Sequence, residues 1–238
     1  MIKVNFSSPW TILSSLYDGG IVPNVLHRIL LCGPKGTGKS DFLRQWGLNF
    51  AKVVMFPDQP ETDLIGSIAL RDGCTVFQRS KLLDAVESGE PVVVDEIDAF
   101  SNYCRTYLHA LLDDKGQARI PLPDGNYVLP GKGFMIVATS NAEPTALPEA
   151  MLDRFDLVLH CNEPSDGVLS HLETDDERTL LRQSHTKRYP AKLYSPELSS
   201  RGMIRRARLI RAGVSPDDAS LLVFGDRADS VQTALTCI

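Results

Sequence analysis

The sequence predicts an α/β fold, a parallel sheet flanked by helices and followed by a smaller helical domain. Three observations carry that expectation. Apolar runs that end abruptly in polar residues recur near residues 28–32, 91–98 and 133–141. Such runs are how strands buried on both faces read in a parallel sheet. A glycine-rich loop stands between the first run and a segment of helical spacing, and after Cys161 the pattern turns mostly helical. The expected division is a core over 1–163, with hairpin insertions near 66–77 and 119–130, and a helical lid over 164–238.

Arg28-Ile-Leu-Leu-Cys32 reads as a buried strand and SDFLRQWGLNF as a helix. Between them GPKGTGKS fits the phosphate-loop pattern G-x-x-x-x-G-K-[ST] without mismatch. Gly33, Pro34, Lys35, Gly36, Thr37, Gly38, Lys39 and Ser40 are therefore the candidate nucleotide-binding residues. Glycines let backbone N–H groups curl around phosphate oxygens, Lys39 neutralises the outer phosphates, and the Ser40 hydroxyl suits Mg²⁺. Further on, Arg71-Asp-Gly73 reads as a hairpin turn.

Pro91-Val-Val-Val-Asp-Glu-Ile-Asp98 is a β-branched run delivering two carboxylates at its end. Asp95 would hold Mg²⁺, through a water because that ion keeps much of its hydration shell, and Glu96 is placed to activate an attacking water. Asp98 reads as part of a solvated acidic turn. Pro123-Asp-Gly-Asn-Tyr127 reads as a second hairpin. Gly133-Phe-Met-Ile-Val-Ala-Thr-Ser-Asn141 repeats the apolar-to-polar design, and its last amide offers both donor and acceptor. Ligands of open parallel sheets gather at the carboxyl ends of the strands, so the loop, Asp95, Glu96 and Asn141 should meet at one edge.

Arg154 precedes the strand-like Phe155-Asp-Leu-Val-Leu-His-Cys161 and so falls at the opposite edge. There it could stabilise phosphoryl charge only in a neighbouring subunit, which requires a head-to-tail ring. The competing reading is an ion pair with Asp153 or Asp156. In the lid, Ser199-Ser-Arg201 opens the helix GMIRRARLIRAG, on which Arg201, Arg205 and Arg208 share a face. Arg206 and Arg211 read as a solvated charged face. A last amphipathic stretch is expected near Asp217 to Leu235.

The 238 residues suffice for one full α/β domain and a small second one, and no apolar run is long enough to cross a bilayer. The start lacks the order of a secretory signal, so a cytoplasmic protein without membrane attachment is expected. Five scattered cysteines without a C-x-x-C pair suggest free, mostly buried thiols. The five histidines take no role; His109 reads as one position on an amphipathic helix. A formal charge of −5 argues against coating nucleic acid by bulk electrostatics.

Taken in order, GPKGTGKS, VVVDEID, IVATSN and LPEAMLDRFD resemble an AAA+ ATPase. The passages TDLIGSIALRDG, RSKLLDAVESGE, LPDGNYVLPGKGFMIVATSN and LPEAMLDRF are most similar to the MoxR-type and dynein-related branch. The resemblance implies a P-loop NTPase core with a five-stranded central parallel sheet, a helical lid, and a hexameric ring with ATP and Mg²⁺ at each subunit interface. Lys39 and Ser40 would belong to Walker A, Asp95 and Glu96 to Walker B, Asn141 would be sensor 1, Arg154 the arginine finger and Arg201 sensor 2. Arg205, one helical turn on, could fill the last role instead. In related ATPases the two hairpins meet substrate or partner, and a separate von Willebrand A-domain protein is an expected partner.

The favoured reading is a ring-forming, chaperone-like ATPase that remodels or assembles a partner protein complex. A second reading is the ATPase subunit of a DNA-acting system of defence, restriction or transposition type, with the lid arginines on phosphates. A third is a nucleotide-binding switch with little turnover, or a small-molecule kinase. The acids and Asn141 count against the switch, and the lack of an evident acceptor lid counts against the kinase.

Overall fold

The computed structural model describes residues 7–22, 24–45, 53–55, 57, 60–113, 118–122, 125–185 and 199–236. Most of KRYPAKLYSPELSS, the hairpin tip at 123–124, the segment 46–50 and Cys237 lie outside the described residues.

Along the chain run α1 (Pro9–Asp18), β1 (Arg28–Cys32), α2 (Lys39–Gln45), β2 (Val53–Met55), α3 (Glu61–Leu64), β3 (Gly66–Arg71), β4 (Cys74–Arg79), α4 (Lys81–Ser88) and β5 (Val92–Val94). Then follow α5 (Asn102–Leu111), β6 (Ile120–Pro121), β7 (Tyr127–Val128), β8 (Ile136–Ser140), α6 (Glu149–Leu152), β9 (Leu157–His160) and α7 (Asp166–Leu169). The chain ends with α8 (Asp175–His185), α9 (Ser200–Arg211), α10 (Pro216–Phe224) and α11 (Ala228–Thr236).

Among the described residues five strands form one sheet in the order β2-β5-β8-β1-β9, and every neighbouring pair is parallel. The sequence prediction of a five-stranded parallel sheet therefore holds. Every residue of β5 and β8 is buried, which is why these strands read as unbroken apolar runs rather than alternating ones. Because β1, β5 and β8 run the same way, residues following Cys32, Val94 and Ser140 leave from one edge.

The structure packs as two compact units. One holds the described residues of Met1–Cys32 and Leu43–His160, the other those of Gly33–Phe42 and Cys161–Ile238. In the first, Leu30, Val92, Val94, Ile136 and Ala138 of the sheet share a core with Leu82, Leu83 and Val86 of α4 and Cys104 and Leu108 of α5. Asp156 ties the amino ends of two strands. Its Oδ2 accepts from the His27 and Arg28 N–H groups at 2.8 and 2.9 Å, and its Oδ1 from the Arg28 side chain at 2.5 Å. Burial would raise this carboxyl, but those hydrogen bonds and the Arg28 charge outweigh it and hold it below its ordinary value.

Among the described residues, two antiparallel pairs lie outside the sheet. β3 and β4 pair from Gly66↔Arg79 to Arg71↔Cys74, closed by Asp72 and Gly73 at φ 48° and 76°. Two positive φ values are what a type I′ turn requires. The hairpin leaves Ile68 and Leu70 70% and 76% exposed, far more than isolated core-type residues need be. β6 and β7 pair through Ile120↔Val128 and Pro121↔Tyr127, and the Arg119 guanidinium lies 5.2 Å from the Tyr127 ring centroid.

In the second unit, Val168, Leu169, Leu180, Leu181, Met203, Ala207, Phe224 and Val231 form a separate core. α8 opens with a capping box: Thr174 Oγ1 accepts from the Glu177 N–H while Glu177 Oε2 accepts from the Thr174 N–H. Ser199 caps α9 by accepting from the Gly202 N–H. The amphipathic stretch expected near Asp217 to Leu235 forms two helices, α10 and α11, with the chain turning between them at Gly225, φ 58°. Arg206 is not on a solvated face. It lies beside Met203 and Ala207 on the inner face of α9 and pairs with Glu177, both nearly inaccessible.

Candidate functional site

The phosphate loop belongs to the second unit. Gly33, Gly36 and Gly38 take φ of 149°, 87° and 95°, conformations that side chains disfavour and that turn successive N–H groups to one side of a loop. Space is as restrictive as backbone. A Cβ at Gly33 would lie 2.3 Å from the Cys161 carbonyl oxygen, and one at Gly38 would lie 2.4 Å from Ser165 Oγ. The Ser165 N–H donates to the Thr37 carbonyl, and Ser200 at the start of α9 packs within 3.2 Å of where a Gly36 Cβ would stand. Lys39 is buried, and its ammonium donates to the Gly33 and Pro34 carbonyls at 2.7 and 2.9 Å. This glycine cradle with a lysine folded across it fits a polyphosphate.

His185, at the end of α8, meets the same loop. Its Nδ1 lies 3.0 Å from the Leu181 carbonyl, and a second hydrogen bond reaches the Lys35 carbonyl. Burial pulls its imidazole below its ordinary value, the two hydrogen bonds oppose that, and the Lys39 charge adds to it.

The acids and Asn141 meet at the carboxyl ends of β5 and β8 in the first unit. Thr139 Oγ1, inside β8, donates to Asp95 Oδ1 at 2.5 Å and accepts from the Glu96 N–H at 3.0 Å. Asn141 Nδ2 donates to Glu96 Oε1 at 2.8 Å, and the Asn141 N–H donates to Asp98 Oδ1 at 3.1 Å. Glu96 itself sits at φ 55°, one of two described residues other than glycine with positive φ. The structure thus brings Asp95, Glu96 and Asn141 together as the spacing predicts. Thr139 has no role in the sequence reading; the only signal was a hydroxyl two residues before a polar strand tip. Asp98 is corrected: it is not simply a solvated turn residue but an acceptor that fixes the Asn141 backbone.

Arg154 lies before β9, at the amino-terminal edge of the sheet. Among the described residues its ion-pair partner is neither Asp153 nor Asp156. Asp156 is taken by Arg28, and Arg154 instead pairs with Asp113 at 3.7 Å and donates to the Ala150 carbonyl. A cavity of about 360 Å³ opens at this edge, lined by Arg28, Leu111, Asp113 and Phe134 among others. His109 also faces this pair: burial and the Arg154 charge lower its imidazole, and Asp113 opposes them. In the second unit Arg201, Arg205 and Arg208 are exposed on α9, and Arg211 pairs with Glu173. Cys32, Cys104 and Cys161 are buried thiols, whereas Cys74 on β4 is exposed. Among the described residues no cluster of His, Cys, Asp and Glu suits a metal by itself, and no helix is long and apolar enough to cross a membrane.

A parallel α/β sheet with a phosphate loop after its first core strand and paired acids after another defines a P-loop nucleotide-binding protein. The chain belongs to the AAA domain family of the dynein-related subfamily, whose model matches residues 28–155, just over half its length. It is therefore an AAA+ ATPase of the dynein-related type. Similar proteins include midasin of Dictyostelium discoideum, 28% identical over 186 residues, which cover 74% of this chain and 3% of that protein. Midasin of Giardia intestinalis is 26% identical over 181 residues, 71% of this chain and 4% of the relative. The denitrification regulatory protein NirQ of Stutzerimonas stutzeri is 25% identical over 223 residues, 86% of this chain and 80% of the relative. The chain thus spans only a few per cent of the midasins.

Proposed function

We propose that this protein hydrolyses ATP at the interfaces of a homo-oligomeric, hexameric ring and uses the cycle to remodel or assemble a partner protein complex, in the manner of MoxR-type ATPases. The observation that carries the reading is the opposition of the site's parts. The acid and amide cluster stands at the carboxyl edge of the sheet, and Arg154 stands at the amino edge.

Residues 33 to 40 bind the phosphates, with Lys39 neutralising the outer ones. By the resemblance to related ATPases, Ser40 and Asp95 would hold Mg²⁺, which would supply positive charge to screen the phosphate oxygens. Glu96 takes a proton from the attacking water as its oxygen bonds to the terminal phosphorus and the bond to the ADP oxygen breaks. Asn141 orients Glu96. Arg154 reaches a neighbour's terminal phosphate; leaving Asp113 costs it no more than about 1 kcal/mol, because that pair is long and both side chains are a third or more exposed. Arg201 is favoured over Arg205 as the lid arginine sensing the phosphates, since it follows Ser200, which packs on Gly36. The exposed apolar hairpin β3–β4 and the hairpin β6–β7 form the surface that meets the partner, with a von Willebrand A-domain protein as the expected class. A cytoplasmic location accompanies this reading. The match to most of NirQ, a protein named as regulatory, supports action upon a partner.

Nucleotide turnover and mass in solution test this for wild type, Glu96→Gln and Arg154→Ala. ATP-dependent rings and two inactive variants that regain turnover on mixing are expected. A monomer whose turnover ignores Arg154 overturns the ring. The exposed Arg201, Arg205 and Arg208 favour one second reading, a DNA-acting ATPase, which salt-sensitive DNA binding would support.

A further inference from the structure

We infer that Thr139 is a positioning residue of the hydrolytic site, a hydroxyl that fixes both acids of the β5 tip at once. The inference rests on the proposed ATPase reading and assigns a role to a residue outside the phosphate loop, the acid pair and Asn141.

Thr139 is buried to within 1% inside β8, a strand whose other residues are apolar except Ser140 at its end. A hydroxyl placed in such a strand must find partners or leave a polar atom unsatisfied. Ser140 satisfies its hydroxyl locally, with Ala142. Thr139 reaches across to the next strand instead. It has one proton to donate and lone pairs to accept with, and it uses both on consecutive residues: Oγ1 gives its proton to Asp95 Oδ1 and receives the N–H of Glu96.

The two bonds do different work. The bond to Asp95 selects one orientation of a carboxylate proposed to hold Mg²⁺. The bond from the Glu96 N–H fixes the peptide plane of a residue at φ 55° and ψ 50°, a conformation glutamate does not adopt without restraint. That backbone setting aims the Glu96 side chain, whose Oε1 meets Asn141 Nδ2. A β-branched residue holds the hydroxyl well, since χ1 has few alternatives. Valine has the same branched shape and neither bond, so it would leave the two acids at their places in the chain but without a shared restraint. The expected effect falls on the chemical step rather than on nucleotide capture, because residues 33 to 40 are untouched.

The test is steady-state ATP turnover with saturating Mg²⁺, together with equilibrium binding of a fluorescent ATP analogue, on wild type, Thr139→Val, Thr139→Ser and Thr139→Ala. Loss of one to two buried hydrogen bonds predicts a kcat lowered about tenfold to a hundredfold in the Val variant. KM and analogue affinity should stay within about twofold, and the Ser variant should recover most of kcat because it restores the hydroxyl. Should the Val variant fail to fold, the Ser and Ala pair carries the same comparison, with Ala expected to be low and Ser near wild type. The inference is overturned if Val or Ala turns over like wild type, if the loss appears in KM alone, or if Ser is as impaired as Val. A wild-type protein that turns over no ATP in any assembly state overturns the hydrolase reading and this inference with it. Active wild type with active Val overturns this inference only.

Discussion

Replacing Arg206 by methionine removes one partner of an ion pair whose side chains are only 5% and 4% exposed, and the loss can be estimated from what remains. Breaking a buried pair from one side costs about 3–5 kcal/mol, because the surviving charge stays buried. Here Glu177 keeps two backbone donors, the N–H groups of Glu173 and Thr174 at 2.9 and 3.4 Å. Ser220 loses the Arg206 Nε donor but still donates to the Pro216 carbonyl at 2.8 Å. The expected loss is therefore at the low end, about 3 kcal/mol. In a Glu177→Gln background no charge is stranded and the amide oxygen still accepts, so the same substitution should cost about 1 kcal/mol, a coupling of about 2 kcal/mol. Urea unfolding of the four proteins, followed by far-ultraviolet circular dichroism, measures both numbers. Arg211→Met is the internal control: its pair with Glu173 is 48% and 41% exposed and should be worth less than about 1 kcal/mol. If Arg206→Met shifts stability no more than Arg211→Met, the pair is not buried in solution and the argument from burial fails.

Three further outcomes are expected. Glu96→Ala and Glu96→Gly lose the same contact with Asn141, but only alanine retains the penalty of positive φ, so Gly should be the more stable by about 1 kcal/mol in thermal or urea unfolding; the reverse order would show that φ is not held positive. Asp156 is held below its ordinary value when folded, so its contribution is present above about pH 3.9 and is lost as pH falls through its folded value; Asp156→Asn should unfold more easily at neutral pH and show a shallower acid limb. His185 is also lowered, so the folded state prefers it neutral: stability is full above about pH 6.5 and declines as pH falls through that value, a decline that melting curves of His185→Gln should lack.

The fold class was legible because burial on both faces leaves a signature in single segments. Val92-Val-Val94 and Ile136-Val-Ala138 cannot alternate when both their faces are covered, and the abrupt polar residues after them mark the sheet edge. The chain segments of the candidate site were legible for the same reason. What stayed hidden depends on contacts between distant positions. Arg206 and Glu177 are 29 residues apart, and nothing in an arginine-rich helix says which arginine faces inward. Thr139 and Asp95 are 44 apart, and a threonine inside a strand is ordinary until its partner is seen. Asp113 as the partner of Arg154 was missed because nearer acids were present, and Asp156 was already committed to Arg28.

The first unit keeps to local rules almost everywhere and breaks them at one edge of its sheet. The strands are apolar where buried, helices α4 and α5 are capped by Ser80 and Ser101, and the β3–β4 hairpin turns on the Asp-Gly pair its geometry asks for. At the carboxyl ends of β5 and β8 the same chain tolerates a glutamate at positive φ, a threonine hydroxyl in an otherwise apolar strand and three carboxylates within four residues. Each is unfavourable alone, and the hydrogen bonds among Asp95, Glu96, Asp98, Thr139 and Asn141 are what make the arrangement tenable. A fold that needed only stability would have no reason to gather these features in one place. Their concentration at the carboxyl ends of β5 and β8 is the physical reason to seek the chemistry there.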